Sequence, residues 1–280
     1  MCLAPISHRK DGRPYTTSYS CGKCFECIKK RCINWAYRVG HELASHDDNI
    51  FLTLTYDDLQ ADTYAYDYTD FQKFMKRLRD ALPSRRIKYF TSLEYGGQNG
   101  RLHFHSILFN FHPSYLRGKI TKGGTAPSGF PLYNSEAIQK LWPFGFHSFS
   151  EASVETAYYI ASYALSDNTF TNDYGEILSD QLKCSQGIGL DFFIANMEIE
   201  VARAIFYKRS LPRYYKDKLE KFYPVLYRKL ENHLTDLKKN FGERDDEYAR
   251  IIEFEKKNSR LLFRNEKHFE FDNEKKYFRK

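Results

Sequence analysis

No apolar run opens this sequence, and none within it is long enough to cross a membrane. Neither a secretory leader nor a membrane span is therefore expected. Internal repeats are also lacking, so repeat architectures are set aside. Cysteine is scarce over most of the chain, because five of the six cysteines fall within the first 32 residues. Without a leader, such clustering points to metal ligation in a reducing, cytoplasmic compartment and not to disulfides. What is present is equally informative. A length of 280 residues suits one large domain, or one domain with an appendage. Hydrophobic residues make up 42%, enough to bury a core and to exclude a disordered chain. Lys and Arg number 43 against 36 Asp and Glu, and the net charge of +7 favours a polyanionic partner. The 22 Tyr and 23 Phe serve a core, and they also suit stacking on single-stranded bases.

Residues 1–24 read as a Cys-, Gly- and Ser-rich loop. Ile28, Trp35, Val39 and Leu43 then recur at helical spacing, which predicts a helix from about Phe25 to Ser45. Phe51–Tyr56 is β-branched and aromatic and predicts a strand. Thr69 followed by Gln72 gives a capping-box signal for a helix over Asp70–Leu82. Residues 111–133, with Gly123-Gly124 and three prolines, read as a loop. A short helix near Ser135–Leu141, a strand near Phe146–Phe149 and a Ser153-capped helix over Val154–Leu165 follow. Residues 166–212 are mixed in pattern. Beyond Tyr223, Leu226, Leu230, Leu234, Leu237 and Phe241 keep helical periodicity up to Gly242. A second charged helix is expected over about Asp245–Lys267. Together these elements predict an α+β fold, an antiparallel sheet with flanking helices followed by a helical C-terminal region.

The sharpest signal is Arg101-Leu102-His103-Phe104-His105-Ser106-Ile107-Leu108-Phe109. Side chains two apart on a strand share a face, so His103 and His105 project together. The Gly-Gly-Gln-Asn-Gly turn joins this strand to Ile87–Tyr95 as a hairpin. A turn centred on Gln98-Asn99 sets Glu94 opposite His103, and one centred on Asn99-Gly100 sets it opposite His105. In either register the carboxylate shares the histidine face. Two imidazoles and a carboxylate make an open divalent-metal site suited to Mn²⁺ or Mg²⁺ acting on a phosphate oxygen.

Tyr159-Ile160-Ala161-Ser162-Tyr163 lies in the predicted Val154–Leu165 helix. Residues four apart share a helix face, so both phenols can address one pocket as nucleophiles. Core packing is the ordinary alternative for such a pair, and Tyr158 faces about 100° away as a structural residue. Cys21, Cys24 and Cys27 form a C-x2-C-x2-C run that fits a structural zinc site. Cys2 is the expected fourth ligand, because Cys32 falls inside the predicted first helix. An iron–sulfur cluster is less favoured, since no Cys-Pro follows.

The ordered set Phe51-Leu52-Thr53-Leu54-Thr55, Glu94, His103-Phe104-His105 and Tyr159-x-x-x-Tyr163 resembles the HUH endonucleases. Specifically, it resembles the replication initiators of microviruses, the small single-stranded-DNA phages. Further matches to the gokushovirus-like branch are Cys21-Gly22-Lys23-Cys24-x-x-Cys27, Trp35-Ala36-x-Arg38 and Leu141-Trp142-Pro143-x-Gly145. Ser185-x-Gly187-Ile188-Gly189 and Pro212-Arg213-Tyr214-Tyr215 also match, so the resemblance covers roughly residues 1–220. It implies metal ligation by His103, His105 and Glu94, and nucleophilic attack by Tyr159 and Tyr163. The implied activity is rolling-circle initiation, the nicking and joining of a single-stranded DNA origin through a 5′-phosphotyrosine. The implied setting is the host bacterial cytoplasm, with host helicase and polymerase as candidate partners. One departure is Ser162, where the family usually carries Lys. The expected organisation is a zinc segment with the first helix (1–45), a nickase domain (46–215) and a charged helical region (216–280). Two other readings compete: a non-enzymatic single-stranded DNA-binding protein, and a phosphodiesterase in which water attacks.

Overall fold

The computed structural model describes residues 6–8, 17–57, 68–95, 102–126, 129–165, 169–171, 177–179, 181–207 and 210–241. In chain order the first elements are β1 (Ile6–His8), β2 (Thr17–Tyr19), α1 (Phe25–Leu43), β3 (Asn49–Tyr56) and α2 (Thr69–Ala81). Next come β4 (Lys88–Tyr95), β5 (Leu102–Phe109), β6 (Ile120–Thr125), β7 (Pro131–Ser135), α3 (Glu136–Leu141), β8 (Gly145–Glu151) and α4 (Val154–Leu165). The chain continues through β9 (Thr169–Thr171), β10 (Ile177–Ser179), β11 (Gln181–Cys184), α5 (Leu190–Ala195), α6 (Met197–Phe206), α7 (Arg213–Phe222) and α8 (Pro224–Phe241). Two compact units result, residues 1–196 and residues 197–280.

The first unit is built on a seven-stranded sheet in the order β11-β4-β5-β3-β8-β7-β6, with every pairing antiparallel. The α+β class expected from the sequence is therefore the observed one. Strict alternation along β3 divides its residues between the two faces. Ile50, Leu52, Leu54 and Tyr56 enter a core with Leu93, Leu102, Phe104 and Leu108. Onto that face α2 turns Phe71, Phe74, Met75 and Leu78, an i, i+3, i+4, i+7 stripe, and Ile138 and Trp142 join it. On the opposite face Phe90, Ile107 and Phe109 pack with Cys32 and Val39 of α1 and Ala157, Ile160 and Ala161 of α4. Because β5 lies inside the sheet with helices on both sides, its whole inner length is apolar or partnered.

Two stretches read as loops contain strands. Residues 111–133 hold β6 and part of β7, which pair as a hairpin with a bulge between Lys122 and Gly124. β6 is exposed along its length, so no hydrophobic alternation marked it in the sequence. Residues 1–24 likewise hold the β1–β2 pair. At α2 the helix begins at Thr69 itself, with Tyr68 as N-cap and no side-chain cap bond, so the capping box does not form. In the second unit α6 and α7 each pack on α8, with Val201, Ala204, Tyr215, Leu219 and Leu230 buried. Pro212 of the Pro-Arg-Tyr-Tyr motif is the N-cap residue of α7. The charged stretch expected over 245–267 lies outside the described residues.

The Ser185-x-Gly187-Ile188-Gly189 motif fastens the helical layer to the sheet. Ile188 is buried in the α1–α4 core, and its carbonyl accepts from Arg38 Nε at 3.3 Å. Gly189, at φ 72°, donates its N–H to Glu42 Oε2 at 2.7 Å, a conformation that glycine adopts without a Cβ penalty. Glu42 also holds Lys88 Nζ at 2.9 Å, and both side chains are buried, 2% and 7% exposed. Removing one member of such a pair strands the other charge away from water, at a cost of about 3–5 kcal/mol. Glu42→Gln should therefore destabilise the protein by about that amount in urea unfolding. Adding Lys88→Met should recover part of the loss, since it removes the stranded charge.

Candidate metal centre and tyrosine helix

The hairpin adopts the register with Glu94 opposite His103 and Ser92 opposite His105. On its other side β5 pairs with β3, bringing Thr55 beside His103 and Thr53 beside His105. Directly paired residues share a face, so one patch collects Glu94, Ser92, His103, His105, Thr53 and Thr55. Donor atoms of Glu94, His103 and His105 all lie within 4.8 Å of one another. Glu94 is 3% exposed and its Oε2 is 3.8 Å from His105 Nε2. Its other oxygen accepts a hydrogen bond from Ser92 Oγ. His105 Nδ1 lies 3.1 Å from Thr53 Oγ1. An Nδ1–H donating to Thr53 leaves the Nε2 lone pair facing the carboxylate, the arrangement a metal-ligating imidazole needs.

Burial, reinforced by the neighbouring His103, pushes the His105 pKa down to about 3, so the ring is neutral around pH 7. A neutral imidazole pair beside a buried carboxylate is a donor set for a divalent cation, which compensates the buried negative charge. The structure thus brings together all three residues that the hairpin spacing singled out. Thr53 and Ser92, which orient the donors, were not singled out. Their signal was only parity: each falls on the histidine face of a strand adjoining β5.

Above this patch runs α4. Ser153 Oγ accepts from Thr156 N–H at 3.3 Å while Thr156 Oγ1 accepts from Ser153 N–H at 2.9 Å, a reciprocal cap that fixes where the helix begins. Burial of Ala157, Ile160 and Ala161 in the core beneath then sets the helix rotation. That rotation brings the Tyr159 ring edge-on to His105, with centroids 5.4 Å apart, and to Phe51 at 6.2 Å. Phe51 in turn stacks on His105 at 5.7 Å. Tyr158 packs half-buried against the same core. Tyr163 follows one turn beyond Tyr159 on α4, and its side chain lies outside the described residues. Ser162 donates its hydroxyl to the Tyr159 carbonyl at 2.8 Å, so it supplies no charge in place of the family's lysine.

A second donor group lies at the start of α1. Cys21, Cys24 and Cys27 place their sulfurs within 4.8 Å of one another, and the Cys21 and Cys27 sulfurs are 4.0 Å apart. Four thiolates about 2.3 Å from a zinc ion require sulfur separations close to this. Cys24 N–H donates to Cys21 Sγ at 3.3 Å, a bond that favours a thiolate there. Cys32 is buried in the α1–α4 core, where burial pushes its thiol up to about 12, and it is no part of the cluster. Cys2, the expected fourth ligand, lies outside the described residues.

An antiparallel sheet carrying a carboxylate–imidazole patch beneath a tyrosine helix defines the class to which this α+β protein belongs. Residues 49–168 match the family of the replication-associated protein ORF2, and this segment belongs to it. The chain is 32% identical over 219 residues to the replication-associated protein ORF4 of Chlamydia phage 1, covering 72% of this chain and 53% of that protein. It is 29% identical over 259 residues to the replication-associated protein VP4 of Bdellovibrio phage phiMH2K, covering 85% and 80% respectively. It is 31% identical over 192 residues to the replication-associated protein ORF2 of Spiroplasma virus 4, covering 65% and 58%. This chain therefore spans little more than half the length of the first and third of these relatives. No solved structure matches it. No helix among the described residues is long and apolar enough to cross a membrane.

Two measurements test these centres. A His pKa of about 3 in the folded state lies below the 6.5 of the unfolded chain. Between those values the unfolded state binds more protons, so stability falls as pH falls from 6.5 toward 3. Urea unfolding of metal-free protein at pH 7 and pH 5 should show this loss, and His105→Asn should flatten that part of the slope. For the cysteine cluster, metal analysis of purified protein should find about one equivalent of zinc. Cys24→Ser should release it and lower the protection of α1 amides more than those of β5. Iron with visible absorbance, or no metal, would refute the zinc assignment.

Proposed function

We propose that this chain is a phage replication initiator that nicks and rejoins single-stranded DNA through a covalent 5′-phosphotyrosine. The observation that carries the reading is the contact of the Tyr159 ring with His105, itself within donor distance of Glu94 and His103. A phenol pressed against such a donor set is placed to meet a phosphate held there. The matches to phage replication-associated proteins point the same way.

In this reading Glu94, His103 and His105 would hold Mg²⁺ or Mn²⁺, which polarises a phosphate oxygen and offsets its developing charge. Thr53 and Ser92 keep the imidazole and the carboxylate turned toward that position. Tyr159 Oη, having lost its proton, attacks phosphorus in line with the departing 3′-oxygen. The bond from phosphorus to that oxygen breaks, the oxygen takes up a proton, and a 3′-hydroxyl is left to prime synthesis. The 5′-phosphate stays on tyrosine until a 3′-hydroxyl reverses the transfer and joins the ends. Tyr163, four residues on, is the second nucleophile, needed because the first cut occupies one tyrosine until the circle is complete. Origin DNA is the substrate, and a host helicase and polymerase are the partners such a reaction requires.

The test is to incubate the protein with a labelled single-stranded circle and Mn²⁺ and look for a labelled adduct on a denaturing gel. Peptide mapping should place the DNA on Tyr159 or Tyr163. Each single Phe variant should keep some cleavage but fail at circle release, and the double variant should form no adduct. His103→Ala should weaken metal binding roughly 10–100-fold or more and abolish nicking under limiting Mn²⁺. Binding without any adduct in the wild type would leave a non-enzymatic DNA-binding protein.

A further inference from the structure

One row of paired residues crosses the sheet through the donor patch: Glu94 on β4, His103 on β5, Thr55 on β3 and Phe146 on β8. Paired residues share a face, so Phe146 stands on the same side of the sheet as the histidines. Strands lie about 4.8 Å apart, which sets Phe146 about 10 Å from His103. The two ends of the row differ in cover. Phe90, Ile107 and Phe109, on β4 and β5, are buried beneath α1 and α4. On β3 and β8, Thr53, Thr55 and Ser148 are only partly buried, and Phe146 is 60% exposed.

A single exposed aromatic is ordinary on any surface. What sets Phe146 apart is the rigid corner that delivers it, made by the Leu141-Trp142-Pro143-x-Gly145 motif. Trp142 is fully buried and donates its indole N–H to the Thr55 carbonyl at 3.2 Å. Gln139 Nε2 donates to the carbonyls of Trp142 at 3.2 Å and Gly145 at 2.8 Å. Asp57 N–H donates to the Phe144 carbonyl at 3.0 Å. Gly145, at φ 153°, sits so close to β3 that a Cβ there would collide with the Thr55 carbonyl oxygen. Beside Phe146 opens a recess of about 250 Å³ with polar walls from Thr121, Asn134, Gln139 and His147. Gln139 Oε1 and His147 Nδ1 are bonded at 3.0 Å, so these walls are fixed.

We propose that Phe146 is a stacking platform for one nucleobase of the single-stranded substrate, and that the polar recess receives the edge of that base. This rests on the reading of the chain as a nickase and adds a positioning residue to it. A base held flat on Phe146 anchors the strand two sheet strands from the donor patch, within one or two nucleotides of a phosphate held there. The platform is aromatic because every base offers a π-face to it, and the amide and hydroxyl groups beside it give the site a means of preferring one base.

The test measures binding of a fluorescein-labelled single-stranded oligonucleotide of random sequence by anisotropy, without added Mn²⁺ or Mg²⁺, across a range of salt. Phe146→Ala should lose about 5- to 150-fold in affinity, the range of stacking on one base. The slope of log K against log salt should not change, because no phosphate contact is removed. Phe146→Trp should restore affinity, and its emission should be quenched on binding. Thermal unfolding of all variants should match the wild type, since the side chain is largely exposed. Wild-type affinity in Phe146→Ala with adduct formation intact would overturn this inference and leave the nickase reading standing. A change in oligomeric state with DNA affinity unaltered would overturn it too, marking a protein contact. A wild type that binds no single-stranded DNA would overturn both readings.

Discussion

The period of two along β5 is the constraint on which the rest of the structure depends. It turns His103 and His105 to one face and Leu102, Phe104 and Leu108 to the other, and both faces are covered. A polar pair held at the border of a packed core needs partners, because an unsatisfied imidazole or carboxylate there costs several kcal/mol. The strands on either side supply them in register, Glu94 and Ser92 from β4, Thr53 and Thr55 from β3. A slip of one residue would turn every donor away from the others and carry Phe104 out of its core. Fold and site are thus specified by the same pairing.

The helical layer carries the second half of that logic. Ala157, Ile160 and Ala161 bury one face of α4, and this rotation brings Tyr159 to His105. Rigidity comes from outside the site. Glu42 joins α1, the Lys88 end of β4 and the Gly189 turn through one buried carboxylate. A charge network so far from the donors acts on them only by fixing the layer that bears the tyrosine. On the other side of the row, the Trp142–Gly145 corner does the same for β8. Three of the motifs shared with phage replication proteins thus contribute no donor atoms to the metal centre; they hold the elements that do.

Much of this was legible in the sequence because it depends on short-range periodicity. The hairpin, its three donors, the tyrosine helix with its Ser153 cap and the three-cysteine cluster all follow from spacings of two, three or four residues. The β6–β7 hairpin was not legible. Its residues are exposed on both faces, so no alternation of apolar and polar residues announces a strand, and only pairing with β8 draws it into the sheet. The capping box at Thr69 failed for a related reason. Tyr68, held by ring contacts with Phe71 and Phe104, takes the cap position, and tertiary packing outweighs the local signal.

The sequence by itself determined which residues can share a face, and therefore that Glu94, His103 and His105 form a group, and that five cysteines gather near the N-terminus. Periodicity fixes side-chain direction within an element, and direction alone was enough for those conclusions. It left the hairpin register open between His103 and His105 as the partner of Glu94, since both choices keep the donors on one face. Tertiary structure decided that register, excluded Cys32 from the sulfur cluster by burying it, and selected Thr53 and Ser92 as the groups that orient the donors. It also decided that Phe146 stands exposed in line with the metal centre. Those outcomes depend on which strands become neighbours and what covers them, and neither is a property of any single segment.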